Sequence, residues 1–141
     1  MAESIHQITV SVEVNANPQL TWDYYTQPEH ITGWNFASPE WHCPKASNNL
    51  TVGGNYVARM EAKDGSVGFD FEAVYTEVNP PLKLSYLFGG RRATVNFNPN
   101  NNGTSVVVQF DPDQDHDIEL QRAGWQAILT NFKIYTETNS R

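Results

Sequence analysis

The sequence predicts an α+β fold in which a curved, six-stranded antiparallel sheet wraps around one long C-terminal helix. Three observations predict it: an alternating strand near the N-terminus, five further strands separated by turn signals, and an amphipathic helix over residues 117–138. Two short helical segments follow the first strand. A long helix that packs across a curved sheet tends to leave a cavity between the two layers. The layout therefore predicts a fold with an internal cavity.

The first strand and the two short helices come first along the chain. Apolar and polar residues alternate over residues 8–14, which is the pattern of a half-buried strand. Asn17 and Pro18 then suit the N-cap and the first position of a helix. Pro28 ends that helix and begins a second short one, which Gly33 terminates.

Five strands with the same period-two alternation follow, and short turns join them. The strand segments are residues 56–62, 69–75, 82–88, 93–97 and 106–110. The turn signals between them are Asp64-Gly65, Asn79-Pro80-Pro81, Gly89-Gly90 and residues 98–103. Strands connected in this way pair antiparallel. Residues 35–49 mix prolines and aromatics with polar residues, and they predict a long loop of the kind that often binds ligands.

The last segment predicts an amphipathic helix over residues 117–138. Asp115 or Asp117 suits its N-cap, and a negative charge there complements the helix dipole. Its apolar residues recur at helical spacing on one face, at positions Ile118, Trp125, Ile128, Leu129, Phe132 and Tyr135. This face is expected to pack on the sheet.

Composition restricts the classes of partner. The 141 residues are expected to form one domain, residues 1–141. A formal charge of −7 argues against nucleic acid and against an anionic membrane surface as partners. The single cysteine excludes an internal disulfide and a cysteine-pair metal motif. The chain has neither a basic-then-apolar leader nor a run near the ~20 apolar residues of a membrane span, so we expect a cytoplasmic protein.

Three segments, in order, resemble a known superfamily. They are Pro18–Thr26 with Pro28–Ile31 and Trp34, then residues 52–84 with their Asp64-Gly65 and Pro80-Pro81-Leu82 turns, and Gly124-Trp125 with Leu129, Phe132 and Tyr135. Over nearly the whole chain they resemble the START-like (SRPBCC) superfamily, in the branch related to the activator of heat-shock protein 90 ATPase. The resemblance implies a helix-grip fold. It departs at one position, because relatives often place a second Trp where this chain has Asn35.

The large apolar side chains of this layout either fill a core or line a ligand cavity between the sheet and the last helix. In the cavity hypothesis Trp22, Trp34 and the loop over residues 35–49 form the mouth. The candidates for ligand contact are Trp22, Trp34, Trp41, Met60, Phe69, Phe71, Tyr75, Tyr86, Phe97, Trp125, Leu129 and Phe132.

Two pairs of polar residues have either a ligand-binding role or a purely structural one. If the strands pair about Asp64-Gly65, Arg59 and Glu72 are expected to meet, either as an anchor for a polar ligand group or as an exposed ion pair. Arg91 and Arg92 follow a Gly-Gly turn, and they form either a solvated turn or a basic spot for an anionic ligand.

No recognisable set of residues predicts catalysis, a metal or a cofactor. His42 and Cys43 are adjacent, and adjacent side chains of an extended segment point apart. The alternating aspartates of residues 111–117 lack the glycine and glutamate of a calcium loop, since His116 and Arg122 hold those positions. We therefore expect no catalytic residue, no metal ligand and no cofactor.

Three functional hypotheses remain. The first is the binding of a small hydrophobic or amphipathic ligand in the cavity. The resemblance implies the second, a protein-interaction module that regulates a chaperone in the stress response, and the third, an enzyme of the cyclase or hydrolase type. The third requires a polar pair deep in the pocket, for example Asp70 or Glu72 buried beside a tyrosine.

Overall fold

The computed structural model describes residues 7–139, which form a sheet of seven strands with three helices. The elements in chain order are β1 (Ile8–Val14), α1 (Pro18–Thr26), α2 (Pro28–Ile31), β2 (Trp41–Asn48), β3 (Asn55–Ala62), β4 (Gly68–Asn79), β5 (Lys83–Phe88), β6 (Arg91–Asn100), β7 (Gly103–Phe110) and α3 (Ile118–Asn139). No helix among these residues is long and apolar enough to cross a membrane. The α+β class and the antiparallel sheet beside a C-terminal helix agree with the sequence analysis.

The sheet has seven strands where six were predicted. Its order is β1-β7-β6-β5-β4-β3-β2, and every neighbouring pair is antiparallel. The additional strand, β2, lies within residues 35–49, which were predicted to form a loop. Pro44 and a register shift between His42 and Lys45 hide its alternation. Such a segment is tolerated here because β2 is an edge strand, with β3 as its sole partner in the sheet.

The strands form as their alternation predicts. Buried and less buried residues alternate along β3, β5, β6 and β7, so each strand turns one set of side chains toward the helices. The N-terminal strand lies beside β7, with Val10 opposite Val108. The predicted Gly89-Gly90 turn joins β5 to β6, and both glycines have positive φ, 56° and 79°.

The predicted caps begin two of the helices. The Asn17 side-chain oxygen accepts the Leu20 N–H at 2.8 Å at the start of α1. The Asp117 carboxylate accepts the N–H groups of Glu119 at 2.7 Å and Leu120 at 3.2 Å, so Asp117 rather than Asp115 caps α3. At 22 residues α3 is about 33 Å long, which is sufficient to cross the face of the sheet.

Aromatic contacts fix α3 against the rest of the molecule at two places. Trp125 stacks on Phe110 of β7 with ring centroids 3.9 Å apart. About two turns further on, Phe132 is fully buried and meets Trp34 at 5.1 Å and Tyr25 at 5.0 Å, edge to face. Between these two contacts α3 is separated from β3, β4 and β5 by a cavity.

Candidate ligand-binding cavity

The cavity lies between the inner face of the sheet and α3, and α1 with the segment after α2 closes one end. Its volume is about 300 Å³. Most of its wall is aromatic or aliphatic, and the lining residues are Tyr25, Trp34, Asn35, Tyr56, Met60, Phe69, Phe71, Tyr75, Leu84, Tyr86, Phe88, Arg91, Val108, Trp125, Ile128 and Leu129. A concave apolar site with a few polar groups is the usual form of a small-molecule site.

The structure brings eight of the twelve predicted contact residues onto this wall. Sheet and helix each contribute, because the alternating strands and the helical stripe both face inward. The eight are Trp34, Met60, Phe69, Phe71, Tyr75, Tyr86, Trp125 and Leu129. Whether they contact a ligand stays a prediction.

Four predicted residues lie outside the cavity. Phe97 is fully buried in solid packing between Trp22, at 5.3 Å, and Tyr25, at 5.4 Å. Trp22, which was predicted at the cavity mouth, and Phe132 are likewise part of the core and do not line the cavity. Trp41 lies on β2 with its ring centroid 6.1 Å from that of Phe69, and it does not line the cavity. Phe97 lies outside the cavity because α1 covers β6, so this inward-facing residue meets the side chains of α1.

Sequence reasoning missed eight lining residues. Three of them had a sequence signal. Tyr56 lies on the same face of β3 as the predicted Met60, and Leu84 and Phe88 lie on the same face of β5 as the predicted Tyr86. Tyr25 and Asn35 had none, because they come from α1 and from the segment after α2, and their direction depends on how these parts dock on the sheet. The missed residues are Tyr25, Asn35, Tyr56, Leu84, Phe88, Arg91, Val108 and Ile128.

Four tyrosines gather at the end of the cavity next to α1, and we call them the tyrosine cluster: Tyr25, Tyr56, Tyr75 and Tyr86. The ring centroids of the three strand tyrosines are 6.2–6.5 Å apart. Asn35 donates its side-chain amide to the Tyr56 hydroxyl at 3.0 Å. Asn35 therefore supports the cluster from the segment that follows α2.

Burial keeps the tyrosine cluster uncharged. It raises the pKa of Tyr75 to about 12, and it raises the pKa of Tyr56 and Tyr86 well above the ordinary value of 10.0. Burial, followed by the nearby Tyr75, also raises the pKa of Tyr25. At neutral pH these hydroxyls act as hydrogen-bond donors and acceptors and not as bases.

The opposite end of the cavity opens beside the β5–β6 turn. Arg91 pairs in register with Phe88 and covers its ring, with the guanidinium carbon 4.5 Å from the ring centroid. Phe69, Phe71, Phe88 and Arg91 line both the cavity and an adjoining surface groove. Arg91 donates to the Asp111 carbonyl at 3.4 Å, so the charge that the sequence left unassigned lies at the cavity mouth.

The predicted contact between Arg59 and Glu72 does not form. Residues equidistant from the Asp64-Gly65 turn pair with each other, which places Arg59 opposite Asp70 and Glu72 opposite Val57. Arg59 instead donates to Glu61 at 2.8 Å and lies 3.6 Å from Asp70. Arg59 and Glu72 both lie on the outer face of the sheet, away from the cavity, so neither is placed to anchor a ligand there.

The polar pairs considered for chemistry are dispersed. Asp70 and Glu72 are exposed, so neither is a buried carboxylate beside a tyrosine. Cys43 is buried, and burial raises the pKa of its thiol, while His42 lies 3.6 Å from Glu61 on the other face of β2. Within residues 7–139 no three His, Cys, Asp or Glu side chains converge as a metal site would require.

Comparisons with known proteins identify the family and the fold. The family model described as Activator of Hsp90 ATPase homolog 1-like protein matches residues 15–137. No curated protein matches the chain. The solution structure of the AHSA1-like protein from Aeromonas hydrophila is 38% identical with a TM-score of 0.90, over 95% of this chain and 94% of that one.

Two further solved structures show the same fold. A protein from Cytophaga hutchinsonii is 45% identical with a TM-score of 0.81, over 95% of this chain and 94% of that one. A protein from Nitrosomonas europaea is 18% identical with a TM-score of 0.83, over 99% of both chains, and it supports the fold alone. These matches confirm the resemblance drawn from the sequence: the chain belongs to the Activator of Hsp90 ATPase homolog 1-like family.

Proposed function

We propose that the protein binds a small hydrophobic or amphipathic molecule in the cavity between the sheet and α3. The observation that carries the proposal is an aromatic-walled space of about 300 Å³ with hydroxyl groups at its inner end and an arginine at its mouth. A folded core normally packs such side chains against each other with few voids larger than a water molecule. A space of this size bounded by so many rings therefore favours a binding site.

The volume limits the size of the ligand. At the roughly 30 Å³ that a water molecule occupies in the liquid, the cavity holds about ten non-hydrogen atoms. Micromolar binding corresponds to about 8.2 kcal/mol, or about 0.8 kcal/mol for each of those atoms. This lies between the ~0.3 kcal/mol per atom of large ligands and the ~1.5 kcal/mol of the best small ones. Micromolar affinity is therefore within reach of a compound that fills the cavity.

The direct test combines native mass spectrometry of freshly purified protein with a thermal-shift panel of small aromatic and aliphatic compounds. We expect a retained small molecule, or a panel compound whose rising concentration progressively raises the melting temperature. Phe71→Leu changes the wall and should alter the affinity of such a compound. Val74→Ala is the matched control, because Val74 lies three residues along the same strand with its side chain 42% exposed on the outer face. Equal effects of the two changes would contradict binding in the cavity.

Membership of the family supports a second candidate, a module that binds an Hsp90-type chaperone and changes its ATPase rate. This function requires an exposed surface and not the cavity. The test is a pulldown and an ATPase assay with the chaperone from the same cell. Stimulation that persists in Phe71→Leu would favour the interaction module, whereas no complex and no change in rate would exclude it.

A further inference from the structure

We infer that the hydroxyls of Tyr25 and Tyr86 form a recognition site for one uncharged oxygen of the ligand, an alcohol, phenol or ketone group. The inference rests on the proposed function and specifies the chemistry of the molecule bound. It predicts that the ligand enters with this oxygen first and leaves its hydrocarbon part against Phe71, Phe88 and Trp125.

The hydrogen bonds of the tyrosine cluster are unequal. The Tyr56 hydroxyl accepts from Asn35 at 3.0 Å, and the Tyr75 hydroxyl interacts with the Asn48 side chain. The hydroxyls of Tyr25 and Tyr86 have no hydrogen-bond partner among residues 7–139. Tyr86 is only 6% exposed and lines the cavity.

Polar groups inside folded proteins are almost always hydrogen-bonded, so two hydroxyls that line a cavity without a protein partner are available to a ligand. Tyr25 and Tyr86 come from different elements, α1 and β5, both line the cavity, and they are close enough to interact electrostatically. A ligand oxygen at the tyrosine-cluster end of the cavity would complete the hydrogen bonding of both tyrosines. This is the contact that the surrounding structure leaves open.

The wall at this end selects an uncharged group. The lining there consists of the tyrosines, Trp34 and Asn35, and Arg91 is the one charged lining residue within the described chain, at the mouth beyond Phe88. A carboxylate or an ammonium ion at the inner end would be buried without a counter-ion, which is much more costly than burying an alcohol or a ketone. The raised pKa values keep the tyrosines neutral, so they supply no charge to pair with a cation.

The test uses three probes of one shape at pH 7: naphthalene, 2-naphthol and 2-naphthoate, titrated into the full-length protein by calorimetry or NMR. We expect 2-naphthol to bind most tightly. One net hydrogen bond corresponds to a ~2- to ~12-fold difference in affinity, which is the expected advantage over naphthalene. Tyr86→Phe and Tyr25→Phe should each lower the affinity for 2-naphthol toward that for naphthalene. The affinity for naphthalene itself should not change.

Tyr24→Phe is the matched control. Tyr24 precedes Tyr25 in α1, but its hydroxyl donates to the Asn139 carbonyl at 3.0 Å, outside the cavity. This variant removes a tyrosine hydroxyl from the same helix, and it should bind all three probes as the parent protein does.

The outcomes separate the inference from the proposed function. Equal binding of naphthalene and 2-naphthol, with no selective effect of Tyr86→Phe, would overturn the inference and leave cavity binding intact. Tightest binding of 2-naphthoate would overturn the choice of an uncharged oxygen. Binding of none of the three probes, together with no response to the broader thermal-shift panel, would overturn both.

Discussion

Phe71 and Phe97 look alike in the sequence, and truncating each of them to alanine tests whether the cavity is open in solution. Both are phenylalanines at inward positions of alternating strands. Phe97 is fully buried, whereas Phe71 is partly exposed and forms part of the cavity wall. We expect Phe97→Ala to destabilise the protein much more than Phe71→Ala.

The expected difference follows from their surroundings. Phe97 packs on Trp22 and Tyr25, so its loss leaves a cavity in solid packing and should cost about 3–5 kcal/mol. Full burial of a phenylalanine contributes about 1.5–3 kcal/mol, and Phe71 has only part of that burial because one side meets the cavity. With its edge contacts to Tyr56 at 5.9 Å and Phe88 at 5.5 Å, we expect Phe71→Ala to cost about 1–2 kcal/mol.

Urea unfolding followed by circular dichroism measures both costs, provided that the two variants share one m-value. A difference of about 2–3 kcal/mol corresponds to roughly 8–12 °C in melting temperature for a domain of this size. If Phe97→Ala fails to fold, Phe97→Leu and Phe71→Leu replace the alanine pair, and the larger cost is again expected at Phe97. Equal costs for the two alanine variants would refute the reasoning, because they would mean that Phe71 packs as tightly in solution as Phe97.

Three further predictions concern stability. Asn17→Ala removes the cap on the Leu20 N–H and should lower the unfolding free energy by about 1 kcal/mol in urea. Burial raises the pKa of Asp111, but hydrogen bonds from the Arg92 N–H and neighbouring groups lower it overall. Asp111→Asn should therefore lower the unfolding free energy at neutral pH. The difference from the parent protein should vanish as the pH falls through that lowered pKa. Stability should decline above about pH 10, where unfolded tyrosines ionise and buried ones do not, and less steeply in Tyr86→Phe.

For each of these three predictions, one outcome would contradict the reasoning. Unchanged stability of Asn17→Ala, with Asn17→Asp as the control that retains an acceptor, would contradict the capping role. A constant difference between Asp111→Asn and the parent from pH 7 to pH 2 would contradict the charge-linked contribution. Tyrosine absorbance that titrates fully near pH 10 in the folded protein would contradict burial of the tyrosine cluster.

The fold was largely predictable because its determinants are local. Alternating apolar and polar residues predict strands β3 to β7. Turns such as Gly89-Gly90 are predicted by residues that accept positive φ. The strand β2 was missed because an edge strand with a proline and a register shift need not alternate. The pairing of Arg59 with Asp70 was predictable from the Asp64-Gly65 turn alone, and the expected contact with Glu72 was an error of register.

The sequence by itself determined which side chains face inward, since period-two alternation and helical spacing are properties of the local backbone. It did not determine which of them meet solid packing and which meet a cavity. Phe97 and Phe71 satisfy the same pattern, yet α1 covers the first and leaves the second facing open space. That distinction depends on where α1 and α3 dock against the sheet, and docking is decided by the fit of many side chains from distant parts of the chain.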